Sequence, residues 1–171
     1  MASIFGHAVV GYTLSKVIDN KNLKWLLLTA ILSTILPDVD VAAFKLGIAY
    51  HHPFGHRGFT HSILFAIVWA LILMLTIGRK HKLIWFMVIF LTTLSHGILD
   101  AMTSGGEGVG FLIPFNNERF FFLFRKILVS PLGIKNFFSS WGIKVILSEF
   151  KYIVLPCLVI LLIFKSIKEF I

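Results

Sequence analysis

Seven histidines and aspartates of this chain stand where an apolar segment begins or ends. An ionisable group beside apolar helices is costly to bury unless it pairs, binds metal or lines a wet cavity. Imidazole and carboxylate groups together suit zinc and other divalent cations. The predicted metal ligands are His7, Asp38, Asp40, His56, His61, His96 and Asp100.

Two short motifs place four of these residues in pairs. His96 and Asp100 are four residues apart in SHGILD, so a helix would make them neighbours on one face. His56 and His61 flank a glycine in HRGFTHS, just before an apolar run, which puts the first on a loop and the second near a helix start. Each motif alone is weak evidence, because a structural ion pair or a proton relay can use the same residues.

The PDVD segment adds two carboxylates after a proline. Pro37 is expected to stop the preceding helix, and Asp38 and Asp40 would point the same way from an extended loop. One of them would ligate metal or bridge two ions while the other acts as a general base. Arg57 lies between the two histidines of HRGFTHS, and its planar guanidinium suits a phosphate. Arg57 is therefore predicted to be catalytic and substrate-binding, and a headgroup-facing arginine is the alternative interpretation.

Two further residues are predicted to bind substrate, and three histidines are left outside the site. Glu107 is the only acid of the loop GGEGVG, which lacks the features of a P-loop or a dinucleotide fingerprint, and Arg119 follows it. His51 and His52 are adjacent in a loop, where imidazoles are usually solvated. His81 stands in a basic turn at the end opposite the predicted site.

The elements that must position these residues are apolar helices. Thr60–Ile77 and Leu83–Leu99 are each about 25 Å long as helices, enough to cross most of a bilayer, and a basic turn joins them. Ile4–Val17, Trp25–Leu36 and Tyr152–Phe164 are shorter than the roughly 20 residues of a full span. If successive helices alternate in direction, every predicted ligand lies at the same end of the bundle.

The composition indicates an integral membrane protein. Of 171 residues, 57% are hydrophobic and 14% are charged, and the mean hydropathy is +0.90. Soluble proteins carry about 25% charged residues. The predicted fold class is an all-α membrane bundle in one domain, 1–171. Residues 1–120 form the bundle with the site motifs, and 121–171 form an interfacial aromatic and basic segment, or a loop with core aromatics, before the last apolar helix.

Charge and cysteine content exclude several classes of partner and site. The net charge of +8 is scattered between apolar segments without a nucleic-acid-binding motif, so no nucleic-acid partner is expected. Cys157 is the only cysteine, which excludes an internal disulfide and a cysteine-rich zinc site. The end away from the ligands has a net charge of +6, so the positive-inside rule makes it cytoplasmic and turns the site outward. That end carries Lys16, Lys21, Lys24, Arg79, Lys80, Lys82, Lys165 and Lys168 against Asp19 and Glu169.

Taken together, these motifs resemble the YdjM-like membrane-bound metal-dependent hydrolases, which are bacterial inner-membrane proteins. The family pattern has an early histidine near a glycine, a Pro-Asp-x-Asp loop, an H-R-G-x-T-H-S motif, and H-x-x-x-D followed by glycines and a Pro-Phe segment. In this chain the pattern is matched by His7, 37–40, 56–62, 96–100 and 105–120. The match covers about the first two-thirds of the chain.

That family is distantly similar to the zinc-dependent phospholipase C and P1 nuclease group, whose zinc cluster cleaves phosphoesters. The similarity implies a ligand set of His7, Asp38 or Asp40, His56 or His61, and His96 with Asp100. The group also uses downstream histidine and glutamate ligands, whereas no histidine follows His96 here. One or two ions are therefore expected, Zn²⁺ first and Mn²⁺ as the alternative.

The predicted function is hydrolysis of a phosphoester in a lipid or lipid-linked substrate by metal-activated water, with membrane lipids as partners. A second hypothesis is a metal-ion or proton transporter that uses the same cluster. Thr76 is the only polar residue between Ile63 and Ile77, which argues against a polar pathway there. A third hypothesis is a non-catalytic membrane protein with a structural metal. The sequence does not specify an oligomeric state.

Overall fold

A computed structural model describes residues 1–131 and 134–170, and the described residues form helices and loops without a β-strand. This confirms the predicted all-α class. The eight α-helices of the described residues are α1 (Ile4–Ile18), α2 (Lys24–Ser33), α3 (Ala42–Lys45), α4 (Ile63–Thr76), α5 (Lys82–Ala101), α6 (Ile134–Phe137), α7 (Ser140–Glu149) and α8 (Leu155–Phe170). Two 3₁₀ turns, Leu36–Val41 and Phe59–His61, and one π turn, Phe150–Val154, complete the helical structure.

Three helical runs among the described residues are long and apolar enough to cross a membrane. Lys24–Lys45 has 22 residues, Lys82–Ala101 has 20 and Ser140–Glu169 has 30. α1 and α4 are also apolar but have only 15 and 14 residues. The chain therefore fits a membrane helical bundle in which short helices pack beside longer ones.

One predicted long span is shorter than expected. Helix α4 begins at Ile63 rather than at Thr60, because Phe59–His61 forms a 3₁₀ turn before it. The Ser62 side chain accepts a hydrogen bond from the backbone N–H of Phe65 at 3.0 Å and so caps the helix. The polar turn keeps His61 out of the apolar segment and at its boundary.

The last helical run is longer than the sequence predicts. Tyr152–Phe164 is predicted to be a short apolar segment, but it lies inside the continuous run Ser140–Glu169. The π turn at Phe150–Val154 joins α7 to α8 without breaking the run. Residues that the sequence assigns to an interfacial piece are therefore part of a long apolar helix.

The proline of PDVD does not end the helical structure. Pro37 occupies the first turn of Leu36–Val41, where a missing N–H costs nothing, and the helical run continues to Lys45. Asp38 and Asp40 therefore lie on a 3₁₀ turn and not on the extended loop that the sequence predicts.

Helix α5 is the centre of the packing, because it contacts α1, α2 and α4. One buried apolar cluster joins α2, α4 and α5, and a second packs the start of the chain and the end of α5 against the α7–α8 run. The first cluster contains Leu26, Ala30, Ala70, Leu73, Trp85, Val88 and Ile89. The second contains Ala2, Leu99, Ile127, Ile153 and Cys157.

A close approach between α1 and α2 depends on Gly11. A Cβ atom at this position would lie 2.8 Å from Thr34 Cγ2 and 3.3 Å from the carbonyl oxygen of Ala30. Small residues at such contacts let helix backbones approach each other in membranes. The contact sets the distance between His7 on α1 and the turn that carries Asp38.

Replacing Gly11 by valine is expected to destabilise the bundle by about 1–3 kcal/mol, as overpacking of a close-packed contact does. The measurement is thermal unfolding of detergent-purified protein by tryptophan fluorescence. Val68→Leu adds bulk on α4 at a side chain that is 43% exposed, so it serves as the control and should change little. Equal melting temperatures for the Gly11→Val variant and the unmodified protein would contradict the packing argument.

Candidate metal centre

Helix α5 supplies the imidazole of His96, whose orientation is fixed by a hydrogen bond on the side of the ring away from the carboxylates. His96 Nδ1 lies 2.6 Å from the carbonyl oxygen of Thr34. Because a carbonyl oxygen only accepts, Nδ1 carries a proton, and Nε2 is the ring nitrogen that faces the carboxylates. His96 Nε2 lies 3.3 Å from Asp38 Oδ1 and 4.0 Å from Asp100 Oδ2. A ring held in this way is typical of a metal-binding histidine.

His61 approaches the same carboxylates from the turn before α4. Its Nε2 lies 3.7 Å from Asp100 Oδ2 and 3.9 Å from Asp38 Oδ1. Gly97 makes this approach possible, since a Cβ there would lie 3.1 Å from the carbonyl oxygen of His61. The backbone of the HRGFTHS motif therefore packs directly against the backbone near the end of α5.

These four residues form one compact group of possible ligands. Asp38, His61, His96 and Asp100 each offer an atom within 4.8 Å of the others. In the described part of the chain, both oxygens of Asp38 and the Nε2 atoms of both histidines are buried without a hydrogen-bond partner. Buried polar atoms rarely lack partners. Two imidazoles and two carboxylates that face one another are a donor set that fits a divalent ion.

His7 adjoins this group from α1. Its ring stacks on the His96 ring with centroids 3.8 Å apart, and its Nε2 lies 3.5 Å from Asp100 Oδ1. Both ring nitrogens are buried without a hydrogen-bond partner among the described residues. His7 is thus placed to reach an ion next to Asp100.

A second group of possible ligands shares Asp38 with the first and adds Asp40 and His56. Within this second group, however, two members already bond each other. His56 Nδ1 lies 2.6 Å from Asp40 Oδ1, which is a strong imidazole–carboxylate hydrogen bond. The unpartnered ligand atoms therefore belong mainly to the first group, whereas Asp40 and His56 of the second group are hydrogen-bonded to each other.

Asp40 is satisfied by donors on every side. Besides His56, it accepts hydrogen bonds from Thr60 Oγ1 at 2.8 Å and from the backbone N–H of Arg57 at 2.9 Å. His61 Nδ1 lies 3.1 Å from Asp40 Oδ2. Asp40 thus orients both histidines of the HRGFTHS motif.

The electrostatics at His61 favour a cation. Burial by itself lowers the pKa of this imidazole, but hydrogen bonds to Asp100 and Asp40 and the negative charge of both carboxylates outweigh it and raise the pKa to about 9. The field at His61 therefore attracts positive charge, and protons compete with metal for the ligands of such a site.

Arg57 is wholly enclosed by protein. Its side chain is 1% exposed, and its Nε lies 2.9 Å from Asp100 Oδ2. Nη1 donates to the carbonyl oxygen of Gly105 at 3.0 Å, and Nη2 donates to Thr103 Oγ1 at 3.1 Å. The backbone of Arg57 has a φ of 61°, in the left-handed region. These contacts connect the HRGFTHS turn to the segment after α5.

Arg119 and Glu107, the other predicted substrate-binding residues, lie outside both ligand groups. Arg119 Nη1 donates to the carbonyl oxygen of His56 at 2.8 Å, and Nη2 donates to that of Tyr50 at 3.0 Å. The Glu107 side chain is 56% exposed, and its Oε2 lies 3.7 Å from Nδ1 of His51, which is also exposed.

The comparisons with known proteins agree with this architecture. A family model described as YdjM inner membrane protein matches residues 1–169. The chain belongs to this family. It is 41% identical over 169 residues to the inner membrane protein YbcI of Escherichia coli (strain K12), a match that covers 91% of this chain and 92% of that protein. No solved structure matches the chain significantly.

One buried acid of this YdjM family protein is absent from the predicted site. Glu149, at the end of α7, is 4% exposed and accepts hydrogen bonds from the backbone N–H and the hydroxyl group of Ser3. Ser3 in turn caps α1, the helix that carries His7. Glu149 stands in the apolar stretch GIKVILSEF, so the rule that selected the other ionisable residues also applies to it.

Replacing Arg57 by methionine is expected to destabilise the chelator-treated protein by about 3–5 kcal/mol, because Asp100 then keeps a buried charge without its partner. Thermal unfolding in detergent with EDTA measures the effect. Arg57→Lys keeps the positive charge and should recover part of the loss. The control Arg79→Met removes an exposed arginine, where a change within about 0.5 kcal/mol is expected. A normal melting temperature for Arg57→Met would show that Asp100 does not depend on it.

Proposed function

We propose that this protein is a membrane-bound metal-dependent hydrolase whose ion is held by Asp38, His61, His96 and Asp100. The observation that carries the proposal is the set of buried nitrogen and oxygen atoms in this group that have no hydrogen-bond partner among the described residues. Mixed imidazole and carboxylate ligands favour Zn²⁺, with Mn²⁺ as the alternative. His7 adjoins the group, and Asp40 and His56 of the second group are already hydrogen-bonded to each other.

A divalent ion in this position acidifies water and stabilises negative charge on a phosphoryl group. The residues of the chain then divide the remaining tasks. Asp38 is the least buried member of the group and has no hydrogen-bond donor of its own, so it is placed to accept a proton as a general base. Asp40 holds His56 and His61 in orientation, since its oxygens are occupied by protein donors.

A lipid or lipid-linked phosphoester is the substrate class that this position favours. Asp38 and Asp100 lie in or at the end of the runs Lys24–Lys45 and Lys82–Ala101, so the group is at the boundary of the membrane-crossing segments. Arg57 acts as a positioning residue for Asp100, because its guanidinium is engaged by protein groups. The Nε–H of Arg119 has no hydrogen-bond partner among the described residues and Glu107 is exposed, so both remain proposed contacts for substrate. By charge distribution the site faces outward from the inner membrane.

The metal content of the detergent-purified protein tests the ligand set. About one ion per chain is expected by inductively coupled plasma mass spectrometry, because the group comprises four ligands. Asp38→Asn preserves the shape of the side chain but removes its charge, and the ion should be lost. His56→Gln should retain it, as should the control His51→Gln, whose imidazole is exposed. An ion that survives in Asp38→Asn, or an absence of metal after reconstitution, contradicts the proposed centre.

Hydrolysis is tested on the same preparations with a panel of phospholipids of different headgroups, by mass spectrometry of the products. Asp38→Asn should lose hydrolysis together with its ion, and with excess Zn²⁺ or Mn²⁺ added its rate should stay lower by a factor of about 10²–10⁴, the usual contribution of a general base. EDTA should abolish the reaction, and added Zn²⁺ or Mn²⁺ should restore it. Stoichiometric metal without hydrolysis of any lipid would favour the structural-metal or transport hypothesis.

A further inference from the structure

A cleft of about 380 Å³ lies at the end of the bundle opposite the metal centre. It is formed where the turn between α1 and α2 meets the turn between α4 and α5. Four basic or titratable side chains and two tryptophans line most of it: Lys24, Arg79, Lys80, His81, Trp25 and Trp85. No acidic side chain among the described residues lines this cleft.

The positive charge of the cleft is not neutralised within the fold. Lys24, Arg79 and Lys80 are exposed, and none of them forms an ion pair with a described acidic residue. The acid closest in sequence, Asp19, accepts hydrogen bonds from the backbone N–H groups of Lys21 and Leu23 and so stabilises the turn between α1 and α2. The cleft therefore offers a concentrated positive field to an external anion.

Two helix N-termini add to this field. α2 begins at Lys24 and α5 begins at Lys82, and their N-cap residues, Leu23 and His81, form no side-chain cap. Neither helix has an acidic residue in its first turn. The positive ends of both helix dipoles thus support the same anion that the lysine and arginine side chains attract.

The position of the cleft relative to the membrane indicates that its anion belongs to a lipid headgroup. Both Lys24–Lys45 and Lys82–Ala101 begin here, so the cleft stands at the level of the lipid headgroups. Trp25 is 71% exposed, as is usual for an indole in the interfacial region. Trp85 also lines the cleft but is buried, and Gly78 packs so closely against it that a Cβ atom would overlap the indole ring. The cleft thus combines a rigid apolar floor with a cationic rim.

We propose that this cleft binds the phosphate-containing headgroup of an anionic phospholipid. The cations and helix ends contact the phosphate, and the apolar side chains of Leu23 and Ile77 contact the start of the acyl chains. A free phosphate ion would use the rim but not this apolar surface. The site is separate from the metal centre, and the proposal does not depend on hydrolase activity.

The test measures binding of dioleoylphosphatidylglycerol and dioleoylphosphatidylcholine to the full chain in detergent by native mass spectrometry. Lys24→Gln with Lys80→Gln removes two cations from the cleft. The matched control is Lys165→Gln with Lys168→Gln, which removes two cations of α8 outside the cleft. Helix α8 runs in the same direction as α1, because Ile153 packs beside Gly6 and Cys157, further along, contacts Thr13 of α1. The last lysines of α8 therefore lie at the same end of the bundle as the cleft. The residues changed in both variants are exposed, and circular dichroism checks that each variant is folded.

Phosphatidylglycerol is expected to bind the cleft variant about tenfold or more weakly, because each basic side chain near an anionic lipid contributes about 1 kcal/mol. The control variant should lose clearly less, and phosphatidylcholine binding should not respond to either variant. Equal losses in both variants would overturn the proposal in favour of diffuse surface attraction. Equal affinity for the two lipids, or displacement of the lipid by excess inorganic phosphate, would overturn it as well.

Discussion

Asp100, a carboxylate without exposed surface, is the constraint on which one end of this bundle depends. A buried carboxylate must be compensated by charges and hydrogen bonds or it destabilises the fold. Here Arg57 Nε lies 2.9 Å away, and the backbone N–H of Ala2 donates at 2.9 Å. The same carboxylate faces His7 and His61. Compensation of one charge on α5 thus draws together the start of the chain, the HRGFTHS turn and α1.

Asp38 and Asp40 are two residues apart and have opposite surroundings. Asp40 accepts hydrogen bonds from His56, Thr60 and the backbone of Arg57. Neither oxygen of Asp38 has a hydrogen-bond donor in the described part of the chain, although His96 Nε2 lies 3.3 Å from Oδ1. A saturated carboxylate can orient its neighbours but has little capacity left for an ion or a proton. An unsaturated one beside two imidazoles can still bind a cation. The division of roles in this centre therefore follows from hydrogen-bond supply and not from residue type.

The sequence predicts the fold class and the residues that the bundle brings together, because both follow from where ionisable residues interrupt apolar segments. It does not predict which carboxylate is free, since that depends on donors from loops distant in sequence, such as Thr60 for Asp40. Nor does it predict the helical turn over Pro37, because a proline is compatible with both a helix end and a first turn. The role of Arg57 depended likewise on partners such as Thr103, 46 residues away.

Helix α5 connects the two polar ends of the molecule. It starts beside the basic cleft at Lys82 and ends at Ala101, directly after Asp100, and its 20 residues span about 30 Å, the thickness of the hydrocarbon core. A cation-rich cleft at one interface therefore places the acidic and imidazole ligands at the other. The positive-inside rule and the attraction of anionic lipids both act on the end that carries the cleft, so the same few cations that form it also bear on how the bundle is inserted.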